Sequence, residues 1–147
     1  DVGSFEYRER RSFATPSLKI AVETEDVAER LKNIAAADDA AGHFAWRILS
    51  RTLAYSAGMV GIVAADIVSI DRAMRWGYAW ESGPFATWDA LGVAESVTRM
   101  RAEGIQVPGW VAAIAERGGS FYRHGPEGMG QATPQGGYNP VSTPSLA

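Results

Sequence analysis

The sequence predicts an all-α fold built as one helical domain. Apolar residues return every three or four positions along most of the chain, which is the spacing of a single buried helix face. Proline begins and glycine ends several of these segments, as at Pro108 and Gly118. The chain has 147 residues, of which 46% are hydrophobic and 21% charged, so it is long and apolar enough to bury one core.

The first part of the chain predicts a lead-in followed by a helix. Residues 1–23 carry alternating charges and contain Pro16, which disfavours helix at the residue before it, so we expect an extended segment. Thr24 is expected to cap a helix that has acidic residues in its first turn and ends near Ala37. The stripe that this helix buries is Val27, Leu31 and Ile34.

A second, longer helix is predicted to begin at Asp38 or Asp39, where a carboxylate can accept the free amide hydrogens of a first turn. Its apolar residues surround most of the helix: Phe44, Ile48, Leu49, Leu53, Tyr55 and Met59. Such wide coverage indicates burial against several neighbours, so we expect this helix to be central. Gly58 and Gly61 are expected to weaken its end or to bend it.

The rest of the chain predicts short helices and then a tail. The apolar triplets that indicate the next two helices are Ile67, Ile70, Met74 and Phe85, Trp88, Leu91. Two more helices are expected from Ala94 to Glu103 and from Pro108 to Arg117. We expect Phe121 and Tyr122 to rest on the helical body, which gives a helical domain at 24–122. The Gly/Pro-rich residues 123–147 predict a turn-rich or hairpin-like tail.

Composition excludes several classes of function. The chain has 14 basic and 17 acidic residues and a net charge of −3, which argues against nucleic acid as a partner. It has no cysteine, so disulfides, thiolate metal sites and a cysteine nucleophile are excluded, and a reducing, cytoplasmic location is expected. The most apolar run, Met59 to Ala65, is too short to span a membrane. A polar start at Asp1 predicts a piece of a longer protein.

Few residues suggest chemistry by themselves. The glycines at 128 and 130 lack the third glycine and the strand and helix that a dinucleotide-binding turn needs. Asp39 and His43 are spaced to pair on one helix face, and His124 is expected in an exposed loop. The five tryptophans are expected mainly in the core. No catalytic triad, phosphate loop or metal cluster is predicted.

An ordered set of residues between 66 and 92 carries a resemblance to a known family. The set is Ile70-Asp71-Arg72-Ala73-Met74, Gly77, Gly83-Pro84-Phe85, Asp89 and Leu91-Gly92. It resembles the signature of the C-terminal helical domain of 3-hydroxyacyl-CoA dehydrogenases, the NAD-dependent enzymes of fatty-acid β-oxidation. The related helical domain of 6-phosphogluconate dehydrogenases has a similar general fold but not the Gly83-Pro84-Phe85 string.

The signature is interpreted as structural. A short helix bearing Ile70 and Met74 is expected to end near Gly77, and a turn at Gly83 to lead into a helix that begins with Pro84. Asp89 is expected to bind either Arg72 or a backbone amide and so to clamp the two helices. Asp71, with Arg72 and Arg75, is expected to form local salt bridges. Gly77 and Phe85 are interpreted as structural in the same way.

The resemblance implies a domain that is not catalytic on its own. In the family, NAD and a catalytic His–Glu pair belong to a Rossmann domain, which this chain lacks. An Asn that contacts substrate in the first helical domain is replaced here by Trp46, and the loop beside the acyl chain contains Glu81 and Ser82. These departures are typical of a second, degenerate helical copy that packs against the preceding Rossmann and first helical domains.

Two alternatives remain open at this point. The first is a helical module that still binds the acyl-CoA substrate of the parent enzyme. Its candidate contacts are Trp46, Arg47, Arg51 and Ser82. The second is the 6-phosphogluconate-type domain. The fragment is expected to bind no cofactor or metal itself, with NAD held by the parent enzyme, and its aromatic surface predicts self-association.

Overall fold

The computed structural model describes residues 3, 7, 13–126 and 128–141. In this part of the chain, seven helices precede a small antiparallel sheet, so the helical class predicted from the sequence is confirmed. The helices are α1 (Pro16–Glu23), α2 (Val27–Ala36), α3 (Ala40–Met59), α4 (Ile67–Tyr78), α5 (Pro84–Leu91), α6 (Val93–Ala102) and α7 (Gly109–Glu116). The strands are β1 (Tyr122–Gly125), β2 (Gly128–Ala132) and β3 (Tyr138–Pro140), in the order β1-β2-β3.

The expected extended lead-in is wrong over its last residues, which form α1. Thr15 is extended, as the following proline requires, but it acts as the N-cap of a helix whose first turn contains Pro16. Thr24 therefore ends α1, and Asp26 caps α2 by accepting a hydrogen bond from the Glu29 amide. The other lead-in residues, at 1–2, 4–6 and 8–12, lie outside the described residues.

Asp39 is the N-cap of α3 and was one of the two positions predicted for the start of this helix. Its carboxylate also binds α1. Its carboxylate accepts the Gly42 amide at 2.9 Å, the Ser17 amide at 3.0 Å and the Ser17 hydroxyl at 2.7 Å. The Gly42 amide, with the Ser17 donors, lowers the pKa of Asp39 to about 2. The predicted Asp39–His43 pair is wrong, because these donors occupy Asp39 and His43 contacts Asp38 instead.

The core is centred on α5 and is rich in aromatic rings. Phe85, Trp88 and Phe121 are all fully buried. The ring centroids of Phe85 and Phe121 lie 5.0 Å apart in an edge-on arrangement, and Trp88 lies 5.2 Å from Phe121. Since Phe121 follows the last helix, the expectation that it rests on the helical body is confirmed.

The long helix α3 is not buried all round, contrary to the sequence-based expectation. Its inner face is Ala41, Gly42, Trp46, Ser50, Leu53, Ser56 and Ala57. On the opposite face Phe44, Ile48 and Tyr55 are 67%, 52% and 68% exposed, and we call these three residues the outer stripe of α3. Trp76 and Trp80 are also exposed, so the expected burial of the tryptophans holds for Trp46 and Trp88 but not for these two.

The Gly/Pro-rich segment forms strands that pack on the helices. β1 pairs with β2 from Tyr122↔Gln131 to Gly125↔Gly128, and β2 pairs with β3 from Gly130↔Pro140 to Ala132↔Tyr138. Ala132 is 3% exposed and belongs to the hydrophobic core, which the sequence did not predict for this segment. The boundary at 122/123 between domain and tail stays a prediction.

We expect Phe85→Ala to lower the free energy of unfolding by about 3–5 kcal/mol, because the ring is fully buried and packs against the rings of Trp110 and Phe121. Phe44→Ala is the matched control, since it removes the same atoms from the exposed outer stripe and should change stability by about 0.5 kcal/mol or less. Urea unfolding of both variants measures this difference. Equal effects of the two substitutions would contradict the assigned core.

Candidate functional site

A cleft of about 580 Å³ lies between α4, α5 and the sheet. Its polar wall contains the carboxylates of Asp71, Glu81 and Asp89 and the cations Arg72 and Arg75. Ser82 and Tyr122 add hydroxyl groups, and the apolar lining residues are Val68, Ala86, Met129 and Val141. The cleft therefore collects most of the charged residues of the signature region.

Asp71 joins three elements inside this cleft. One carboxylate oxygen accepts the Phe85 amide at 2.8 Å, and the other accepts the Ala86 amide and the Tyr122 hydroxyl, each at 3.0 Å. The residue before α5 is Gly83, which has no capping side chain, so α4 supplies the N-cap of α5. Burial raises the pKa of Asp71 although these donors and the charge of Arg75 act in the opposite direction. The expected local salt bridge is thus replaced by a helix cap.

Gly83 lies directly against Asp71. A Cβ atom at Gly83 would lie 2.3–2.5 Å from atoms of Asp71, which is closer than real contacts allow. The φ of Gly83 is −74°, so space and not backbone conformation requires glycine here. A Cβ at the other signature glycine, Gly77, would meet nothing within 4 Å. Gly77 lies inside α4, which ends at Tyr78 with Ala79 in a left-handed conformation, so the predicted end near Gly77 is displaced slightly.

Asp89 fixes the start of the sheet. Its two oxygens accept the Phe121 amide at 2.7 Å and the Tyr122 amide at 2.8 Å. Of the two partners expected for Asp89, the backbone amide is therefore the one observed, although it belongs to β1 and not to the neighbouring helix. Burial raises the pKa of Asp89 to about 6, and the charge of Asp71 acts in the same direction. Burial, with both carboxylates nearby, also raises the pKa of Tyr122.

The remaining signature side chains surround this centre. The Arg72 guanidinium lies 5.9 Å from the Trp76 ring centroid, in cation–π geometry. The Met74 carbonyl accepts the amides of Ala79 and Trp80, which closes the end of α4. Pro84 and Phe85 are buried in the first turn of α5.

The four candidate acyl-CoA contacts are not brought together. Trp46 is buried, donates its indole N–H to Glu103 at 2.8 Å and has Arg99 stacked 4.1 Å above its ring. Arg47 and Arg51 lie on the exposed face of α3, whereas Ser82 lines the cleft. The other loop residue singled out from the sequence, Glu81, forms an ion pair with Arg30 of α2.

Comparison with known proteins decides the family of this chain. A family model described as 3-hydroxyacyl-CoA dehydrogenase, C-terminal domain, matches residues 42–139. The chain belongs to the 3-hydroxyacyl-CoA dehydrogenase C-terminal domain family. It is 39% identical over 117 residues to the "Probable 3-hydroxyacyl-CoA dehydrogenase" of Bacillus subtilis (strain 168), a match that covers 79% of this chain and 15% of that relative. No solved structure matches the chain significantly.

The residues present do not fit a dinucleotide, although dehydrogenases of this kind imply NAD. All three strands follow the last helix, so no strand leads into a helix among the residues that the structure describes. The phosphates of NAD are bound where a strand leads through a glycine-rich turn into the N-terminus of a helix. The described residues also contain no group of three His, Asp or Glu side chains that could hold a metal. No described helix is long and apolar enough to cross a membrane.

Two parts of this 3-hydroxyacyl-CoA dehydrogenase domain were missed from the sequence. Tyr122, which binds the carboxylates of both Asp71 and Asp89, was expected only to rest on the helical body. Its position before a glycine-rich segment was the one available signal. The Trp46–Glu103–Arg99 cluster gave no signal, because Trp46 lies 53 residues before Arg99 and 57 residues before Glu103. Gly83 was singled out by the family resemblance, whereas Asp71 and Asp89 were also expected to form local salt bridges or caps.

We expect Gly83→Ala to lower the free energy of unfolding by about 1–3 kcal/mol, because the added methyl displaces Asp71 from the amides of α5. Gly77→Ala is the matched control and should stabilise the protein by about 0.5–1 kcal/mol, since its methyl enters open space on a helix. Thermal and urea unfolding compare the two. A neutral Gly83→Ala would show that the contact with Asp71 is dispensable.

Proposed function

We propose that this chain is a second, degenerate helical domain of an NAD-dependent 3-hydroxyacyl-CoA dehydrogenase of fatty-acid β-oxidation. Its role is structural: it pairs with the preceding Rossmann and first helical domains of the same polypeptide and does not catalyse alone. The match covers only 15% of the Bacillus relative, which leaves room in such an enzyme for the domains that would hold NAD and the catalytic pair.

The outer stripe of α3 is the observation that carries this proposal. Phe44, Ile48 and Tyr55 follow one another at intervals of four and seven residues, so they form one line along the helix. All three are more than half exposed, and the exposed Arg51 lies between Ile48 and Tyr55 on the same face. Grouped exposed apolar side chains of this kind are typical of interaction surfaces. A helix of another domain fits such a line, as helices pack through ridges and grooves. The proposed occupant is the first helical domain.

The contacts inside the chain support a role without chemistry. The oxygens of Asp71 and Asp89 accept backbone amides, and the Trp46 indole is bound to Glu103. These side chains are committed to holding the fold together. A general acid or base needs a substrate within hydrogen-bond reach, and the amides occupy that position at both carboxylates.

One feature favours the alternative function, an acyl-CoA-binding module. The cleft has the volume of an ordinary ligand site, and it contains Arg75 and Ser82 beside an apolar wall. The arginine would contact a phosphate and the apolar wall an acyl chain. This alternative requires measurable binding to the isolated chain.

We expect no binding heat when acetoacetyl-CoA, and then NADH, is titrated into the folded chain, and no oxidation of NADH when both are present. Isothermal titration calorimetry and absorbance at the nicotinamide band make the two measurements. A Kd of about 1 µM for acetoacetyl-CoA, which is about −8 kcal/mol, would contradict the structural role and support the alternative. Loss of that binding in Arg75→Ala would then locate it in the cleft.

We expect Ile48→Asp to leave the stability of the isolated chain within about 0.5 kcal/mol, because Ile48 is 52% exposed. In the full-length polypeptide the same change should cost about 2 kcal/mol or more, since it places a charge against an apolar partner. Ile20→Asp, at a 49% exposed isoleucine on α1, is the matched control and should be neutral in both. Urea unfolding of these four variant proteins and their two unsubstituted parents measures the changes. A neutral Ile48→Asp in the full-length protein would remove α3 from the domain interface.

A further inference from the structure

A second, smaller groove of about 250 Å³ is lined by residues of α2, α3, α5 and α6. On α2 its lining residues are Lys32, Ala35 and Ala36, whose spacing places them on one helix face. On α6 they include Ser96 and Arg99, which are one turn apart. The two faces meet where Nη1 of Arg99 donates to the Ala35 carbonyl at 2.8 Å. We call this space the α2–α6 groove, and none of its lining residues lines the cleft described above.

The guanidinium of Arg99 is held in place from three directions. Its central carbon lies 4.1 Å from the centroid of the Trp46 ring, its Nε donates to Glu103 at 3.1 Å, and its Nη1 donates to Ala35. A guanidinium carries five N–H donors, and no residue in the described part of the chain accepts from Nη2. Because Arg99 lines the groove, it offers free donors there in a fixed orientation.

Ser96 adds a hydroxyl group that has no partner. The residue is 4% exposed and lines the groove, yet its hydroxyl forms no hydrogen bond with any residue that the structure describes. The hydroxyl of Thr98, in the same helix, instead donates to the Ala94 carbonyl at 2.9 Å. A buried polar group without a partner is unfavourable, so a ligand that accepts from Ser96 would be stabilised there.

The charges around the groove favour an anion. Lys32 is exposed and forms no ion pair within the described residues, so it adds a second cation at the rim. Glu95 also lines the groove, but its carboxylate lies against the start of α6, where a Cβ atom on Gly92 would be 2.5 Å from its Oε2. Glu103 is occupied by the Trp46 indole and Arg99.

The remaining lining residues are apolar, and they restrict the ligand. Ala35, Trp46 and Leu91 give the groove a hydrocarbon surface behind its cations. Its volume is below the roughly 300–1,000 Å³ of sites for drug-sized ligands, so the ligand is small. Planar carboxylates match the donor geometry of arginine, and the apolar surface fits a short hydrocarbon tail.

We propose that the α2–α6 groove binds a small monocarboxylate. Its carboxylate accepts hydrogen bonds from Arg99, Ser96 and Lys32, and its tail lies against Ala35 and Leu91. This goes beyond the proposed function, which does not depend on it.

An NMR titration of the intact chain with sodium hexanoate, at constant ionic strength, tests the proposal. The backbone amides of Ser96 and Arg99 and the Trp46 indole N–H should show saturable shifts with a Kd of about 1 mM. Hexanamide has the same tail without the charge and should bind at least about tenfold more weakly. Acetate and inorganic phosphate lack the tail and should also bind at least about tenfold more weakly.

Single substitutions locate the binding. Ser96→Ala should weaken hexanoate binding by about tenfold, and it removes no hydrogen bond from the fold. Lys32→Glu reverses the charge at the rim and should weaken binding by at least about tenfold. Lys19→Glu is the matched control, because it makes the same change in net charge at an exposed lysine of α1 outside the groove, and it should leave the Kd unchanged.

Three results would each overturn the proposal. The first is the absence of saturable shifts at about 20 mM hexanoate, well above the expected Kd. The second is equal binding of hexanoate and either hexanamide or phosphate, which would indicate a general apolar or anion-binding surface. The third is an equal effect of Lys32→Glu and Lys19→Glu. If Ser96→Ala fails to fold, the titrations of the unmodified chain and the two lysine variants still decide.

Discussion

The buried carboxylate of Asp71 is the contact on which the arrangement of the domain depends. It caps α5 from α4, and it receives the hydroxyl of Tyr122, so two helices and the first strand meet at one side chain. The space that this cap requires explains Gly83, and the missing amide hydrogen of Pro84 leaves the next two amides as the ones to be capped. The Phe85 ring lies in the core, and its backbone amide donates to Asp71.

Asp89, in the next helix, also accepts two backbone amides from another part of the chain. Its carboxylate satisfies two consecutive amides where the chain leaves the helices and enters the sheet. Asp71 is buried and Asp89 is partly buried, and burial opposes their charge, so each contact carries a desolvation cost that its hydrogen bonds must offset. Asp71 and Asp89 thus both connect separate elements of this domain. The outer stripe of α3 lies away from them and is the surface through which we propose that the domain acts.

The parts of the fold that could be predicted are those set by local sequence. Apolar spacing predicted α2 to α5, and the glycine that follows each of the last two helices predicted α6 and α7. The carboxylate of Asp39 indicated the start of α3. The helix α1 was missed because Pro16 was taken to prevent a helix, whereas proline in the first turn begins one. Apolar spacing also cannot distinguish a face buried in the same chain from one that a partner covers, which is why Phe44 and Tyr55 were expected in the core.

The parts that could not be predicted depend on contacts between distant residues. The Asp89–Phe121 bond spans 32 positions, and no local pattern indicates that a carboxylate in α5 is needed by a strand so far along the chain. Glycine-rich strands such as β2 carry little apolar alternation, so no local pattern indicates that Ala132 is buried in the core. The resemblance singled out Asp71, Gly83 and Asp89, and the structure shows what each one contacts.

The most direct test of this account is the free energy of unfolding of Asp71→Ala, measured by urea denaturation beside Glu81→Ala. Removal of Asp71 leaves two amides of α5 and the Tyr122 hydroxyl without their acceptor, and it should cost about 2–4 kcal/mol or abolish cooperative unfolding. Glu81 is a carboxylate of the same cleft whose ion pair with Arg30 is exposed, and its removal should cost about 1 kcal/mol or less. A loss at Asp71 no greater than that at Glu81 would contradict the claim that Asp71 holds these three elements together.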